Sequence, residues 1–433
     1  MHRKLHSDFL QFVGFAIAFL QEGEYNNAEI RRFGGIQYMK PISSIARGIS
    51  PSATMAIDAM AKQMKASGID VISFGAGEPD FNTPEHIKEA GIAAINNNQT
   101  RYTPSAGILP LREAICDRIL QDTGVHYAPS QICVTSGAKH NVYIALQAII
   151  NAGEEVILPA PYWVTYAEAI RMAGGVPIIV ETTEETGFKL TPEMLSDAIT
   201  PRSKAVMLTN PSNPTGMVYS REELQALANV IQRHDLYVIS DEIYYMLCYD
   251  KPFVSIASLS EDLQERTIMI NGASKSYAMT GWRIGCAAAN AEIAKAMSNY
   301  LSHSTGSPCS ISQQAALAAF GESQEPSYEM KKAFDERRKY FYERVQNIPG
   351  VSCLMPEGAF YIFMNIKELL GKTIKGVKIN NSTDFASAFL EKGLVAVVPG
   401  IAFGAEGYLR WSYATSMENI KEGLDRLERF LAD

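Results

Sequence analysis

An α/β fold is predicted: a mainly parallel seven-stranded sheet covered by helices, with a smaller α+β domain attached. Three observations predict it. From about residue 100 to 320, helical stretches alternate with short β-branched runs. Several of these runs are almost wholly apolar, so both faces of each strand are expected to be buried, as in parallel sheets. Past residue 325 the texture changes to one charged helix and a set of shorter strands.

At 433 residues the chain is long enough for a large core and two domains. It is 47% hydrophobic and 20% charged, with a mean hydropathy of −0.06, an ordinary globular composition. A net charge of −8 lacks the basic stripe that a nucleic-acid surface needs. Cysteines 116, 133, 248, 286, 309 and 353 stand singly, with no C-x-x-C and no histidine pairing. That pattern suits a reducing cytoplasm and offers no metal site.

The N-terminus reads separately. Phe9 to Leu20 is a 12-residue apolar stretch behind Arg3 and Lys4. It is too short to span a bilayer, and Gln21-Glu22-Gly23-Glu24-Tyr25 follows where export would need a small-residue cleavage site. Residues 1–38 are therefore expected to be an appended start outside the fold, with Met39 opening the real domain. The expected division is an arm over 39–78 that joins the small domain, a large domain over 79–325 and a small C-terminal domain over 326–433.

The expected strands are Gln131–Thr135, Glu155–Leu158, Val176–Val180, Lys204–Leu208, Leu236–Ile239, Thr267–Ile270 and Ile284–Ala288. A helix over Lys139 to Ile150 follows the first. In the C-terminal part a helix from Ser327 to Asn347 leads into Val351–Leu354 and Gly358–Met364. A helix over Ser382 to Lys392, a strand over Leu394 to Val398, the strand Tyr408–Ser412 and a closing helix complete the chain. Ligands of parallel sheets sit beyond the carboxyl ends of the strands. Chemistry should cluster there, and it does.

Lys275 lies in Asn271-Gly272-Ala273-Ser274-Lys275, just past Thr267–Ile270, so a small-residue turn delivers one amine to the sheet's mouth. Arg283, eight residues later, supplies a fixed fork of donors for a phosphate. An amine beside a phosphate clamp suits covalent capture of pyridoxal 5'-phosphate. Ser136-Gly137-Ala138-Lys139 opens a helix after a strand and presents free amides to an anion, although small residues there also serve plain sterics. Trp163 follows another strand; it is either core or a face that stacks on a planar ring. Asn210-Pro211-Ser212-Asn213-Pro214-Thr215-Gly216 pins a backbone so that one short amide points in a set direction, or is an ordinary Asn-Pro turn. Asp241, ending the strand Leu236–Ser240, is costly to bury unless a cation such as a pyridinium meets it; the alternative is a helix cap that leaves Glu242 equally available. Singly these signals are weak to moderate. In chain order they cover phosphate, ring face, ring oxygen, ring nitrogen and amine.

These motifs resemble the class I aminotransferases of the aspartate aminotransferase family, within the fold-type I pyridoxal-phosphate enzymes. The resemblance runs from Met39 to the C-terminus. It is carried by Gly75-Ala76-Gly77-Glu78-Pro79-Asp80-Phe81, Arg101-Tyr102-Thr103-Pro104, Asn213-Pro214-Thr215-Gly216, Asp241-Glu242-Ile243-Tyr244, Ser274-Lys275 and Arg410-Trp411-Ser412. It implies that Lys275 bonds the cofactor's aldehyde and shuttles the proton, and that Asp241 pairs the pyridine nitrogen. Tyr244 and Asn213 are implied to hydrogen-bond the ring hydroxyl, and Trp163 to stack on the ring. Gly137, Ala138 and Lys139 (through main-chain amides), Ser274 and Arg283 form the implied phosphate cup. Tyr102 is similar to the residue that reaches the phosphate from a neighbouring subunit, which implies a homodimer. Arg410 resembles the arginine that grips the substrate α-carboxylate, with Gly77, Trp163 and Asn213 beside it.

The resemblance also shapes the expected substrate. Relatives that prefer dicarboxylates place cations where this chain has Ser50 and Gln147, so hydrogen bonds from Ser50, Thr54 and Gln147 would have to serve. Gly272 replaces a serine of more distant relatives. The expected reaction is amino transfer by a ping-pong route from aspartate to 2-oxoglutarate, with aromatic or other neutral amino acids as alternatives. A C–S lyase or a cyclopropane-forming synthase could use the same scaffold. A ligand-sensing regulator would need a DNA-binding module, which residues 1–38 lack.

Overall fold

The computed structural model describes residues 41–51 and 53–432, without the side chains of 53–55. The expected extension over 1–38, Met39 and the side chain of Thr54 lie outside the described residues. The chain divides into two compact units, Met1–Gly48 and Ile49–Asp433. The described part of the first holds the short helix Ser44–Gly48. Everything below concerns the second. No helix among the described residues is long and apolar enough to cross a membrane.

A two-residue strand β1 (Ile72–Ser73) precedes the large sheet. That sheet is made of β2 (Ile132–Thr135), β3 (Glu155–Ala160), β4 (Val176–Glu181), β5 (Ser203–Thr209), β6 (Tyr237–Asp241), β7 (Thr267–Gly272) and β8 (Gly285–Ala288). Its order is β2-β8-β7-β6-β5-β3-β4. All seven expected strands are present. The strands β2, β6, β7 and β8 run buried, except for Tyr237 at the start of β6, as their apolar runs require. Six strands run parallel, and β8 alone runs antiparallel to both neighbours.

This reversal positions the site. The turns after β2, β5, β6 and β7 leave the sheet at its carboxyl edge. Because β8 is reversed, its start lies at that same edge, with Gly285 opposite both Thr135 and Gly272. Arg283, two residues before β8, is thereby brought to the turns that carry Gly137 and Lys275.

The C-terminal part contains β9 (Ser352–Cys353), β10 (Tyr361–Asn365), β11 (Thr373–Ile374), β12 (Val377–Lys378), β13 (Val395–Ala396), β14 (Val398–Pro399) and β15 (Tyr408–Ser412). An antiparallel sheet runs β14-β15-β10-β9, while β1 pairs in parallel with β13. The N-terminal segment is sewn into this part. Phe74 donates to Ala396 O and accepts from Ser412 N, and its ring lies 4.8 Å from Trp411. Two details differ from expectation. The run Leu394–Val398 is two short strands with different partners, Val395–Ala396 against β1 and Val398–Pro399 against β15, and Leu394, at φ 55°, lies outside both. The helix from Ser382 is α-helical to Ala388, then widens over Phe389–Gly393, where a Cβ on Gly393 would meet the Phe389 ring at 2.5 Å.

The large sheet and the C-terminal part are tied together behind the cleft. Cys248 bridges Gly358, and the Gly216 carbonyl accepts from both Glu357 and Gly358 amides. Arg338, fully buried on the helix Glu325–Val345, makes a fork to Asp250 with two bonds of 2.8 Å. It also donates to Asp335 and to Pro356 O, and its guanidinium lies 4.4 Å from the Tyr249 ring centre. The carboxylate of Asp250 is exposed, so the fork is half-buried, and a hydrogen bond to a charged group there is worth about 1.5–3 kcal/mol. Arg338→Leu is expected to lower the unfolding free energy by about 2 kcal/mol, read as a fall in denaturant midpoint. A loss under about 0.5 kcal/mol would show the fork to be dispensable.

Candidate active site

A cleft of about 420 Å³ opens at the carboxyl edge of the large sheet. Lys275 stands on its wall, on the one-turn helix Ala273–Ser276 that follows β7. Its Nζ donates to the Gly77 carbonyl. Lys275 is part-buried, its open surface being that of the cleft, and the amine is shielded from bulk water. Burial is the main cause that pulls its pKa down to about 8; Glu78 opposes the shift, while Arg410 and Arg283 reinforce it. A desolvated amine held by a neutral carbonyl is readily deprotonated.

Asp241 ends β6 and is buried. Its Oδ2 accepts from Tyr166 Oη at 2.7 Å and its Oδ1 from the Ile243 amide at 3.2 Å. Tyr166 is itself held by Thr209 Oγ1 at 2.9 Å. Burial pushes the Asp241 carboxyl upward, with Tyr166 and the Ile243 amide opposing it. A buried carboxylate facing a cleft and bonded by neutral donors is suited to a cationic N–H.

Arg410, on β15 opposite Phe363 and Val398, enters the cleft from the C-terminal part. Its Nη1 donates to Asn213 Oδ1 at 3.0 Å and its Nη2 to Gly75 O at 2.7 Å. The guanidinium lies between the Tyr361 and Phe403 rings, at 4.6 and 5.0 Å from their centres. Its Nε is buried with no partner among the described residues. The Tyr244 and Tyr361 hydroxyls meet at 2.8 Å.

The opposite end of the cleft is built for an anion. Gly137, at φ 90°, precedes the helix Ala138–Ile149 and leaves its first amides free. A Cβ on Gly137 would lie 2.4 Å from Arg283 Nη2, and one on Gly285 would lie 2.3 Å from Ala138 N. Arg283 adopts φ 58° and is oriented by its bond to Thr280 O at 2.9 Å. Ser274 and Lys139 also line this wall, and Lys139 Nζ lies 5.0 Å from the Trp163 ring centre. An anion cradle too tight for a methyl group, a buried carboxylate and an amine between them fit a phosphorylated, cationic ring carrying an electrophilic carbon. No group of metal-binding side chains exists among the described residues.

The model for aminotransferase class I and II matches residues 69–427. This chain belongs to that family. It is a pyridoxal-phosphate-dependent transaminase, and its sheet is that of the family. The aminotransferase is 48% identical over 384 residues to the aspartate aminotransferase of Bacillus subtilis (strain 168), covering 88% of this chain and 97% of that one. The Rhizobium meliloti aspartate aminotransferase structure superposes with a TM-score of 0.87 at 40% identity, over 91% of this chain and 99% of that one. The Thermus thermophilus aspartate aminotransferase solved with maleate gives 0.86 at 41% identity, over 91% and 100%.

Within this aminotransferase the cleft gathers Gly77, Ala138, Lys139, Trp163, Asn213, Asp241, Tyr244, Ser274, Lys275, Arg283 and Arg410 from the sequence expectation. Tyr102 does not line it and is fully exposed. Ser50 is exposed. The expectation for Gln147 is corrected. Its amide donates to Met172 O at 3.2 Å, away from the cleft. Eight residues beyond Lys139 on the same helix, it stands about 12 Å along the axis from the end that faces the site. Sequence reasoning missed Tyr166, Thr209 and Tyr361, and it missed Asp58 and Lys62, an ion pair at 2.7 Å on the helix Ala53–Ala66. Tyr166 follows Trp163 by three positions, a helical neighbour, which is the one signal that could have found it.

Two outcomes are expected. In the cofactor-free protein, acylation of Lys275 should be half-maximal near pH 8, because the protonated amine below that pH is not nucleophilic; a midpoint near the ordinary 10.5 would contradict the desolvated environment. Gly285→Ala should displace the Gly137–Ala138 turn and weaken pyridoxal phosphate binding about tenfold, roughly 1.4 kcal/mol. Equilibrium dialysis measures this, and an unchanged Kd would show that the turn yields without cost.

Proposed function

We propose that this aminotransferase moves the amino group of L-aspartate to 2-oxoglutarate, the first oxo acid leaving before the second enters. The observation that carries the reading is one cleft holding the Lys275 amine, the buried Asp241 carboxylate and the Arg410 guanidinium. When bound, pyridoxal phosphate supplies the electrophilic carbon that takes the amino group and the ring that spreads charge off the substrate Cα. The chain's own residues do the rest. Arg410 grips the α-carboxylate as a fork, with the Gly77 backbone, Trp163 and Asn213 beside it. Lys275 Nζ takes the proton from Cα; a pKa of about 8 leaves part of it free at neutral pH. Asp241, oriented by Tyr166, pairs the ring nitrogen. Tyr244 and Asn213 bond the ring oxygen. Gly137, Ala138 and Lys139 through their amides, with Ser274 and Arg283, hold the phosphate.

Lys139 supports the choice of a dicarboxylate. Its amide faces the phosphate end, while its side chain runs over Trp163 into the cleft. Burial and the neighbouring Arg283 lower its pKa, as suits a cation held where an anion would relieve it. The Thermus thermophilus relative was solved with maleate, itself a dicarboxylate. Lys62 also lines the cleft but is already paired with Asp58.

The reading extends to assembly. A large aromatic as exposed as Tyr102 suits a homodimer in which Tyr102 reaches the partner's phosphate site. Within the second unit, residues 49–78 and 326–433 act as the part that carries Arg410, and 79–325 as the part that carries Lys275. The protein works in the cytoplasm, where its six free thiols are stable.

Half-reaction rates with L-aspartate, L-alanine and L-phenylalanine, followed by 2-oxoglutarate, test the reading. Lys139→Gln should lower kcat/KM for aspartate by about 10- to 100-fold, the worth of one charged hydrogen bond, and leave alanine nearly unaffected. An equal loss for both donors would remove Lys139 from substrate recognition. Faster reaction of wild-type enzyme with phenylalanine than with aspartate would overturn the assignment.

A further inference from the structure

We propose that Tyr361 is a positioning residue for amino transfer, binding the Tyr244 hydroxyl and the Arg410 guanidinium into one unit on the cleft wall. The inference rests on the reading of Tyr244 as a partner of the cofactor's ring oxygen.

Tyr361 opens β10 and is fully buried, yet it lines the cleft. Its hydroxyl meets that of Tyr244 at 2.8 Å, and neither hydroxyl has another partner among the described residues. Each carries one hydrogen and two lone pairs. One hydrogen bridges the pair; the other is left to point at the cleft.

The surroundings choose which. Arg410 stacks 4.6 Å over the Tyr361 ring, and a cation there makes that hydroxyl the better donor. Asp241 faces Tyr244 and opposes loss of its proton, while Arg410 favours loss from both. Tyr413 is a further titratable neighbour of Tyr361, and Lys275 is linked to it through Gly77. Tyr361 therefore donates to Tyr244, and the Tyr244 hydrogen is turned toward the cleft. The accepted bond makes Tyr244 a stronger donor in its turn. Tyr361 also abuts the segment whose carbonyl holds Lys275. A Cβ on Gly77 would lie 3.1 Å from its hydroxyl, and the Gly77 carbonyl accepts from Lys275 Nζ.

The test is a double-mutant cycle read by the pH midpoint of the holoenzyme's visible absorbance. Tyr361→Phe keeps the ring under Arg410 and removes one oxygen. It should raise the midpoint by about half a unit, the size of one weakened neutral hydrogen bond. Tyr244→Phe should raise it further, and the double variant should match Tyr244→Phe alone. The KM for aspartate should be unchanged in Tyr361→Phe but rise several-fold in Tyr361→Leu, where Arg410 loses its stacking partner.

A midpoint moved by Tyr244→Phe but not by Tyr361→Phe would overturn the proposal and leave the reading of Tyr244 intact. So would an equal Tyr361→Phe shift in both backgrounds, or an aspartate KM that Tyr361→Leu leaves unchanged. No shift with Tyr244→Phe would overturn both.

Discussion

The chemistry of this cleft depends on an amine and a carboxylate that are both buried and yet do not pair. Lys275 Nζ is held by the Gly77 carbonyl, and Asp241 by the Tyr166 hydroxyl and the Ile243 amide. A direct ion pair between them would keep the lysine protonated and the carboxylate occupied. Neutral partners instead leave each free to serve a different atom of a bound ring. Burial then works on both in the useful sense, lowering the amine and raising the acid until a cation arrives.

Holding these groups apart is the work of the sheet. Asp241 ends β6 and Lys275 follows its parallel neighbour β7, so their spacing is set by the ladder and not by flexible loops. The reversed β8 then returns the chain to the same edge, and the contact of Gly285 with Ala138 leaves no room for a side chain between the anion-binding turn and the strand. An extra methylene at that contact has nowhere to go, because both sides are backbone.

The Arg410 guanidinium of the cleft comes from a different part of the chain. Arg410 rides on β15, and its Asn213 partner sits on the turn after β5. That turn is fastened to the C-terminal part through the Gly216 carbonyl, and the Arg338 fork fastens the neighbouring Tyr249–Asp250 segment. Arg410 and Lys275 are therefore registered to each other across a seam of hydrogen bonds and the buried Arg338 guanidinium, the kind of support that keeps groups of one cleft within tenths of an ångström.

The sequence by itself determined the strands, the strand-end residues from Ser136 to Arg283 and the buried character of the central strands, but not that β4 lies at the sheet edge with Val176 and Ile179 exposed. Apolar runs and small-residue turns are local signals, readable without knowing what packs where. Lys275, Asp241, Asn213 and Arg410 were legible because each stands in a short motif. Tertiary structure decided the rest. Tyr166 and Tyr361 lie in a helix and a strand whose sequences mark only burial, and their hydroxyls acquire meaning from what folding brings opposite them. Gln147 was misplaced for the converse reason: a helix carries successive residues away from a site at its end. Lys139 carried an amide role in the sequence, and only the packing of its side chain over Trp163 turned it into a cation in the cleft. Which groups meet across the cleft depends on strand order and on the reversed β8, and those are set by long-range pairing that no local pattern encodes.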